Sequence, residues 1–374
     1  MDEKKLFTLN APCLFGLESV LKYEAGKLGF ADVEAGNGYV NFSGGYEEIA
    51  RANISLRTAE RVRIQLAAFK AETFEELFDN VYAINLEDFI QADEAFPVTG
   101  YSLNSKLASV PACQSIIKKA AVKRLESKYH IQRFPETGQT VRIQFSLMKD
   151  QAAIFLDSSG VGLHKRGYRK NSVIAPIKET LAAGIADFAH IGRDSFVVDP
   201  LCGSGTLLIE AGLRALSVAP GLGRRFAFEF WKKFPQAAAK TERERARDLI
   251  RRDAKFEAFG SDTDPEAVEL TRENAGKAGL GSRIKIKRGE LSAFKPPRAG
   301  AALLTNPPYG ERMLDIKQAE EIYALLGGIY KKEDGLSSYI ISPHENFERI
   351  FGKAANKRRK LYNGMIKCQL YMYF

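Results

Sequence analysis

Phe196-Val197-Val198-Asp199-Pro200-Leu201-Cys202-Gly203-Ser204-Gly205-Thr206 runs into the apolar stretch Leu207 to Ala215. A short apolar run closed by Asp-Pro, then two glycines one residue apart, then a helical pattern reads as a buried strand turning sharply into a helix. Glycine at such a turn admits positive φ and lets backbone amides approach a ligand; the helix N-terminus behind it favours negative charge or lone pairs. No Gly-Lys-Ser/Thr follows and the third glycine of Gly-x-Gly-x-x-Gly is absent, so the turn suits a cofactor carboxylate better than a phosphate. On its own, Gly-x-Gly is equally compatible with a plain tight turn, and the downstream residues shift the balance.

Working outward, Phe256 to Phe259, Ile284 to Ile286, Ala301 to Leu304 and Ser338 to Ile341 are further short apolar runs with helical patterns between them. This spacing predicts buried parallel strands in a doubly wound α/β sheet. Arg359 to Tyr362 and Met365 to Tyr373 flank Asn363-Gly364, a hairpin dipeptide, so antiparallel strands are expected to end the sheet. Asp262 stands at the tip of the second strand, where an acidic residue is placed to accept hydrogen bonds from ribose hydroxyls. Asp264, directly before Pro265 and a helix, suits cofactor binding and helix capping equally. Glu290, after the third strand, is a candidate for an adenine amine or a solvated loop carboxylate.

The most specific stretch is Thr305-Asn306-Pro307-Pro308-Tyr309-Gly310-Glu311-Arg312, directly after an apolar strand. Two prolines hold the chain extended, so that turn carbonyls and the Asn306 amide oxygen can converge on one donor such as an exocyclic amine. Accepting both amine protons localises the nitrogen lone pair and raises its nucleophilicity in the transition state. Tyr309 is the expected stacking partner of the base.

The 374 residues, 45% hydrophobic and 27% charged, suit a folded chain of two or three domains. Residues 1–160 alternate strand and helix patterns, including a helix over Val110 to Tyr129 and a hairpin from Val141 to Leu147 and Ala152 to Leu156, and so predict an α+β module. Turn-rich Ser158 to Gly162 and the basic run His164 to Lys170 mark the main boundary. Residues 1–160 hold 18 Lys and Arg against 21 Asp and Glu; by difference from 55 and 46, residues 161–374 hold 37 against 25, a net of +12. Much of that excess lies in Ala215 to Lys255, where Arg224, Arg225, Lys232 and Lys233 interleave with Phe226, Phe228, Phe230 and Trp231. This pattern suits phosphate contacts with base stacking, and equally an amphipathic helix with a solvated face. Four scattered cysteines, four histidines without metal-ligand spacing and no long apolar run predict a cytoplasmic protein with no metal and no membrane segment.

Asp199 to Thr206 together with Asn306 to Arg312 resembles the class I S-adenosylmethionine-dependent methyltransferases acting on exocyclic amines. His164 to Arg169, Ala175 to Thr180 and Ala219-Pro220-Gly221-Leu222 narrow the resemblance to the THUMP-containing RNA guanine-N2 methyltransferases of 23S ribosomal RNA. The resemblance implies a Rossmann-like domain over 161–374, with a mixed seven-stranded sheet and a C-terminal antiparallel hairpin. A ferredoxin-like segment over 1–50 and a THUMP-like RNA-binding domain over 51–160 would precede it. S-adenosylmethionine is the implied cofactor. Asp199, Leu201, Cys202, Gly203, Ser204, Gly205 and Thr206 are the expected methionine-side pocket, with Asp262, Asp264 and Glu290 toward the nucleoside. Asn306, Pro307, Pro308 and Tyr309 form the expected target-base site. Arg166, Arg169, Arg224, Arg225, Lys232, Lys233 and Arg312 are the expected RNA contacts. The implied partner is ribosomal RNA or a pre-ribosomal particle. The tetrapeptide Asn306 to Tyr309 is shared with adenine-N6 methyltransferases of DNA or RNA, which stay open at this point, as does an RNA-binding assembly factor with a vestigial catalytic domain.

Overall fold

The computed structural model describes residues 6–169, 176–310, 316–333 and 335–374. In the N-terminal half, β1 (Phe7–Pro12), α1 (Glu18–Lys27), β2 (Ala31–Ala35), β3 (Tyr39–Gly44), α2 (Tyr46–Ser55) and β4 (Arg63–Lys70) come first. Then follow α3 (Phe74–Tyr82), β5 (Val98–Leu103), α4 (Val110–Tyr129), β6 (Ile143–Met148) and β7 (Gln151–Asp157). All seven strands join one sheet in the order β2-β3-β1-β4-β7-β6-β5, with β4 beside β7 linking the two parts. Residue 50 falls inside α2.

The second half continues with α5 (Glu179–Phe188), β8 (Phe196–Asp199), α6 (Thr206–Ala215), α7 (Gln236–Asp248), β9 (Glu257–Asp262), α8 (Pro265–Lys277) and β10 (Ile284–Arg288). It ends in β11 (Ala302–Thr305), α9 (Ile316–Lys332), β12 (Ser337–Ser342), α10 (Phe347–Phe351), β13 (Lys357–Asn363) and β14 (Ile366–Tyr373). The sheet order is β10-β9-β8-β11-β12-β14-β13; the first five strands are parallel and β14 runs antiparallel to both neighbours. Apolar side chains cover both faces, Val197 and Leu304 toward α5 and α6, Val198 and Leu303 toward α9. Order reverses at β8 and β11, so their C-terminal ends flank the crevice where open α/β sheets bind ligands. The hairpin differs in detail from the expectation. Asn363 still pairs with Ile366, so the two loop residues are Gly364 and Met365, with positive φ only at Gly364 as a type II′ turn requires. That pairing leaves the Asn363 side chain available to the loop that follows β11.

The long basic stretch after α6 is an inter-module brace, which corrects its reading as a base-stacking surface. Phe226, Phe228 and Trp231 are buried in the core of the N-terminal half, together with Phe234 and Ala238, Ala239 and Ala246 of α7. Their rings are spent on packing and are closed to a nucleic-acid base. Glu242, 4% exposed, accepts from Arg51 of α2 at 2.8 Å and 3.1 Å. Gly221 N–H donates to the Ile54 carbonyl at 2.8 Å and the Trp231 indole N–H to the Thr140 carbonyl at 3.2 Å.

Candidate active site

β8 delivers Asp199 to the crevice with its side chain buried. The carboxylate accepts from the Leu201 amide at 3.1 Å and from the Thr305 hydroxyl, at the end of β11, at 2.8 Å. Burial, opposed by those two hydrogen bonds and aided by the Asp262 charge, raises this carboxyl to about 7. Among the described residues Asp199 makes no ion pair.

The loop after Asp199 folds back on itself through Gly205 N–H to the Cys202 carbonyl at 2.8 Å, with φ of 53° at Gly203 and 75° at Gly205. α8 holds it from the side. Thr271 donates to the Gly203 carbonyl at 2.7 Å and the Asn274 amide to the Ser204 carbonyl at 3.0 Å. At Gly205 a Cβ would lie 2.5 Å from Thr271 Cγ2, so the close helix approach itself demands glycine. Asp262, half-buried at the end of β9, accepts from Gly203 N–H at 2.9 Å and from Asp264 N–H at 3.1 Å. It is therefore fixed over the glycine loop. Asp264 is exposed and accepts from Glu266 N–H at 2.9 Å, which makes it the N-cap of α8. Glu290 is exposed, one residue beyond Gly289, whose N–H donates to the Asp262 carbonyl at 3.0 Å.

On the far side of Asp199, β11 leads into Asn306, half-buried, and Pro307, buried. The Tyr309 hydroxyl donates to Asn306 Oδ1 at 2.5 Å and accepts from the Asn363 amide of the hairpin at 3.1 Å. The Pro308 carbonyl accepts from the Tyr323 hydroxyl of α9 at 3.0 Å. Two of the acceptors expected to meet an amine are thus engaged by tyrosines. The glycine loop and this proline loop share one crevice, tied through the Thr305–Asp199 bond.

Of the expected RNA contacts, three are structural. Arg166, 7% exposed, donates to the Leu163 carbonyl at 2.7 Å and to buried Glu210 of α6 at 3.4 Å. Tyr168 donates to the same Glu210 at 3.1 Å. Arg169 turns inward, donating to the Thr206 hydroxyl and to the Ile177 carbonyl at 3.2 Å, and so buttresses the start of α6. The Arg224 guanidinium is consumed by the carbonyls of Val161, Gly162 and Leu163. Lys232 is exposed but paired with Asp93 at 2.6 Å. Lys233 is exposed, and Arg225 is exposed with its guanidinium 4.3 Å from the Phe230 ring centroid. Arg312 lies outside the described residues. Thr305, Thr271, Asn274, Tyr323 and Asn363 escaped the sequence reading. Thr271 and Asn274 did leave a signal, two polar residues three apart on a buried helix face. No group of side chains suited to a metal ion occurs among the described residues, and no helix among them is long and apolar enough to cross a membrane.

Residues 166–372 match the family model described as RMKL-like, methyltransferase domain; residues 8–63 match the RlmL ferredoxin-like domain and 71–157 the THUMP domain. The chain is 42% identical to "Putative RNA methyltransferase YpsC" of Bacillus subtilis, across 99% of this chain and 96% of that one. It is 34% identical to "Ribosomal RNA large subunit methyltransferase K/L" of Syntrophotalea carbinolica across 99% of this chain, and spans 53% of that relative's length. Among solved structures, SMU.472, "a putative methyltransferase complexed with SAH", superposes with a TM-score of 0.94 at 40% identity, over 100% of this chain and 99% of that one.

Proposed function

Because the chain belongs to the RMKL-like methyltransferase family, whose cofactor is S-adenosylmethionine, we propose that it methylates guanine N2 in 23S ribosomal RNA. The observation that carries this reading is the Thr305–Asp199 hydrogen bond, which locks the amine-recognition loop onto the glycine loop. The residues present suit the cofactor. Positive φ at Gly203 and Gly205 lets the loop turn tightly into α6 beside Asp199, and buried Asp199 lacks the cation that an α-ammonium group would supply.

When bound, S-adenosylmethionine supplies an electrophilic sulfonium methyl group. Asp199 and the amides of Ser204 and Thr206 at the start of α6 would hold its amino-acid end, since the amides of Leu201, Cys202, Gly203 and Gly205 are engaged within the chain. Asp262, already fixed by two backbone N–H donors, would offer its remaining lone pairs to the ribose hydroxyls, with Asp264 and Glu290 placed to serve the adenine side. Asn306 Oδ1 accepts a hydrogen bond from the exocyclic amine and orients its lone pair for in-line attack. Asn306 acts as an acceptor and leaves the amine proton to solvent. Tyr309 covers the base face once its hydroxyl leaves Asn306.

Analysis of nucleosides from large-subunit RNA in cells with and without the gene tests the proposal. Loss of N2-methylguanosine alone is the expected result. Loss of N6-methyladenosine would replace the substrate base, and an unchanged nucleoside profile would refute the reading.

A further inference from the structure

Phe15 lies in the loop between β1 and α1, half exposed yet firmly held. Its ring meets the Tyr362 ring of β13 edge-on, centroids 6.0 Å apart. Gly38 supports it from behind, where a Cβ would come within 3.0 Å of the ring. The adjacent Gly16 presses on the β13 backbone so closely that a Cβ there would sit 2.2 Å from the Lys360 carbonyl oxygen, and Arg359 donates to the Gly16 carbonyl at 3.1 Å. A large apolar ring held on two sides, on a backbone anchored to β13, while half its surface faces water is preorganised for a flat partner.

The surroundings specify that partner. Tyr362 pairs with Lys367 across the hairpin, and Lys360 lies two residues before Tyr362, so strand alternation places both lysines on the Tyr362 face. Lys360 Nζ is 5.5 Å from the Tyr362 centroid. Both lysines are exposed, and neither forms an ion pair among the described residues. One residue further on, Asn363 points to the opposite face and donates to the Tyr309 hydroxyl. Aromatic faces beside these two lysines fit a single-stranded segment of nucleic acid whose bases stack while its phosphates meet lysine.

We propose that Phe15 and Tyr362, flanked by Lys360 and Lys367, form a landing platform for an unpaired strand of the RNA substrate. The platform joins the loop after β1 of the N-terminal half to β13 of the catalytic sheet. The inference rests on the RNA-methylation reading above, which it deepens by assigning a surface to an unpaired strand of that substrate.

The test uses the full-length protein and a fluorescein-labelled 12-mer of oligoadenylate, with wild type, Phe15→Ala, Phe15→Trp and the Lys360→Ala/Lys367→Ala pair. Phe15→Ala is expected to weaken binding about tenfold with the salt slope unchanged, as loss of one base stack requires, and Phe15→Trp to restore it. The lysine pair is expected to flatten the slope of log affinity against log salt by about 1.4, the amount for two phosphates of a single strand. Methyl transfer to large-subunit RNA from cells lacking the gene should show KM raised by Phe15→Ala more than kcat is lowered. Affinity for S-adenosylhomocysteine, read by calorimetry, should be the same in all four proteins. Wild-type binding and KM in Phe15→Ala would overturn the platform while leaving the methyltransferase reading intact. Failure of Phe15→Trp to restore binding, with a melting temperature lowered as in Phe15→Ala, would reassign the ring to packing and also overturn it. If wild type leaves RNA unmethylated but oligoadenylate binding still depends on Phe15, the platform stands and the substrate reading falls.

Discussion

The Tyr309 hydroxyl donates to Asn306 Oδ1 at 2.5 Å, so the acceptor assigned to the substrate amine is already filled by the chain's own phenol. A base entering the site must exchange one hydrogen bond for another. That exchange keeps the Asn306 acceptor from standing unsatisfied in a half-buried position, which would cost about 1–3 kcal/mol.

Removing the hydroxyl while keeping the ring separates these two uses. Tyr309→Phe is expected to retain kcat/KM for RNA within about threefold, because stacking survives. Tyr309→Ala should lose at least about tenfold, from a stack worth roughly 1–3 kcal/mol. Steady-state methyl transfer measures both, and equal losses in the two variants would place the function in the hydroxyl instead.

Asn306→Ala removes the acceptor that orients the amine. A loss of about 10²- to 10³-fold in kcat is expected, the scale of one preorganised transition-state hydrogen bond. Calorimetry with S-adenosylhomocysteine should show unchanged affinity, since Asn306 lies on the β11 side of Asp199. Full turnover in this variant would remove the proposed site.

Asp199 makes ligand affinity and stability respond to pH in opposite senses. Its folded carboxyl is raised from 3.8 to about 7, so between these values the folded chain holds a proton that the unfolded chain has lost. The stability contribution is complete below about 3.8 and declines as pH rises to about 7. Binding of an α-ammonium group needs the ionised form, so S-adenosylhomocysteine affinity should rise between pH 6 and 8, approaching tenfold per unit on the acidic side of 7. Asp199→Asn should flatten both dependences, as read by calorimetry and by urea unfolding across that range.

Gly205→Ala places a methyl group against Thr271 Cγ2 and forces a side chain into left-handed backbone at φ 75°. Conformational strain of about 1–2 kcal/mol should add to the clash and lower both the melting temperature and cofactor affinity. Adding Thr271→Ser, which deletes Cγ2 but keeps the hydroxyl on the Gly203 carbonyl, should recover part of the loss. No recovery would show that strain alone accounts for it.

Arg51→Ala leaves Glu242 buried with only Arg245, 3.2 Å away, as a partner. A destabilisation of roughly 3 kcal/mol is expected in urea unfolding, still as one transition. Two separated transitions would show that the halves unfold independently.

Much of the catalytic sheet was legible because buried parallel strands are short, continuous apolar runs, and because Asp199 to Thr206 and Asn306 to Tyr309 sit where strands end. β2 escaped because its residues, Ala31 to Ala35, are exposed or half-buried and carry no apolar period. Arg166, Arg169 and Arg224 were misread for a common reason: a guanidinium that satisfies buried carbonyls or a buried carboxylate has the same composition as one that meets phosphate. Phe226, Phe228 and Trp231 show the same limit for aromatics, since interleaving with arginine does not tell which side of the backbone faces a core contributed by residues far away in sequence. Asn363 was read as a turn residue, and only the register of the hairpin revealed its reach to Tyr309.

The brace between α6 and β9 has a bearing on inheritance. Because Phe226 to Ala246 completes a core begun by residues 7 to 163, and Leu17 and Val20 enter the core beneath the catalytic sheet, neither half carries a self-sufficient interior, and each is partly encoded inside the other. Recombination at the apparent seam near residue 160 would strand four large aromatic rings in water on one product and leave a matching hollow in the other. Recognition module and catalytic module are therefore heritable only as a pair, and a viable chimera has to exchange the brace along with the N-terminal half.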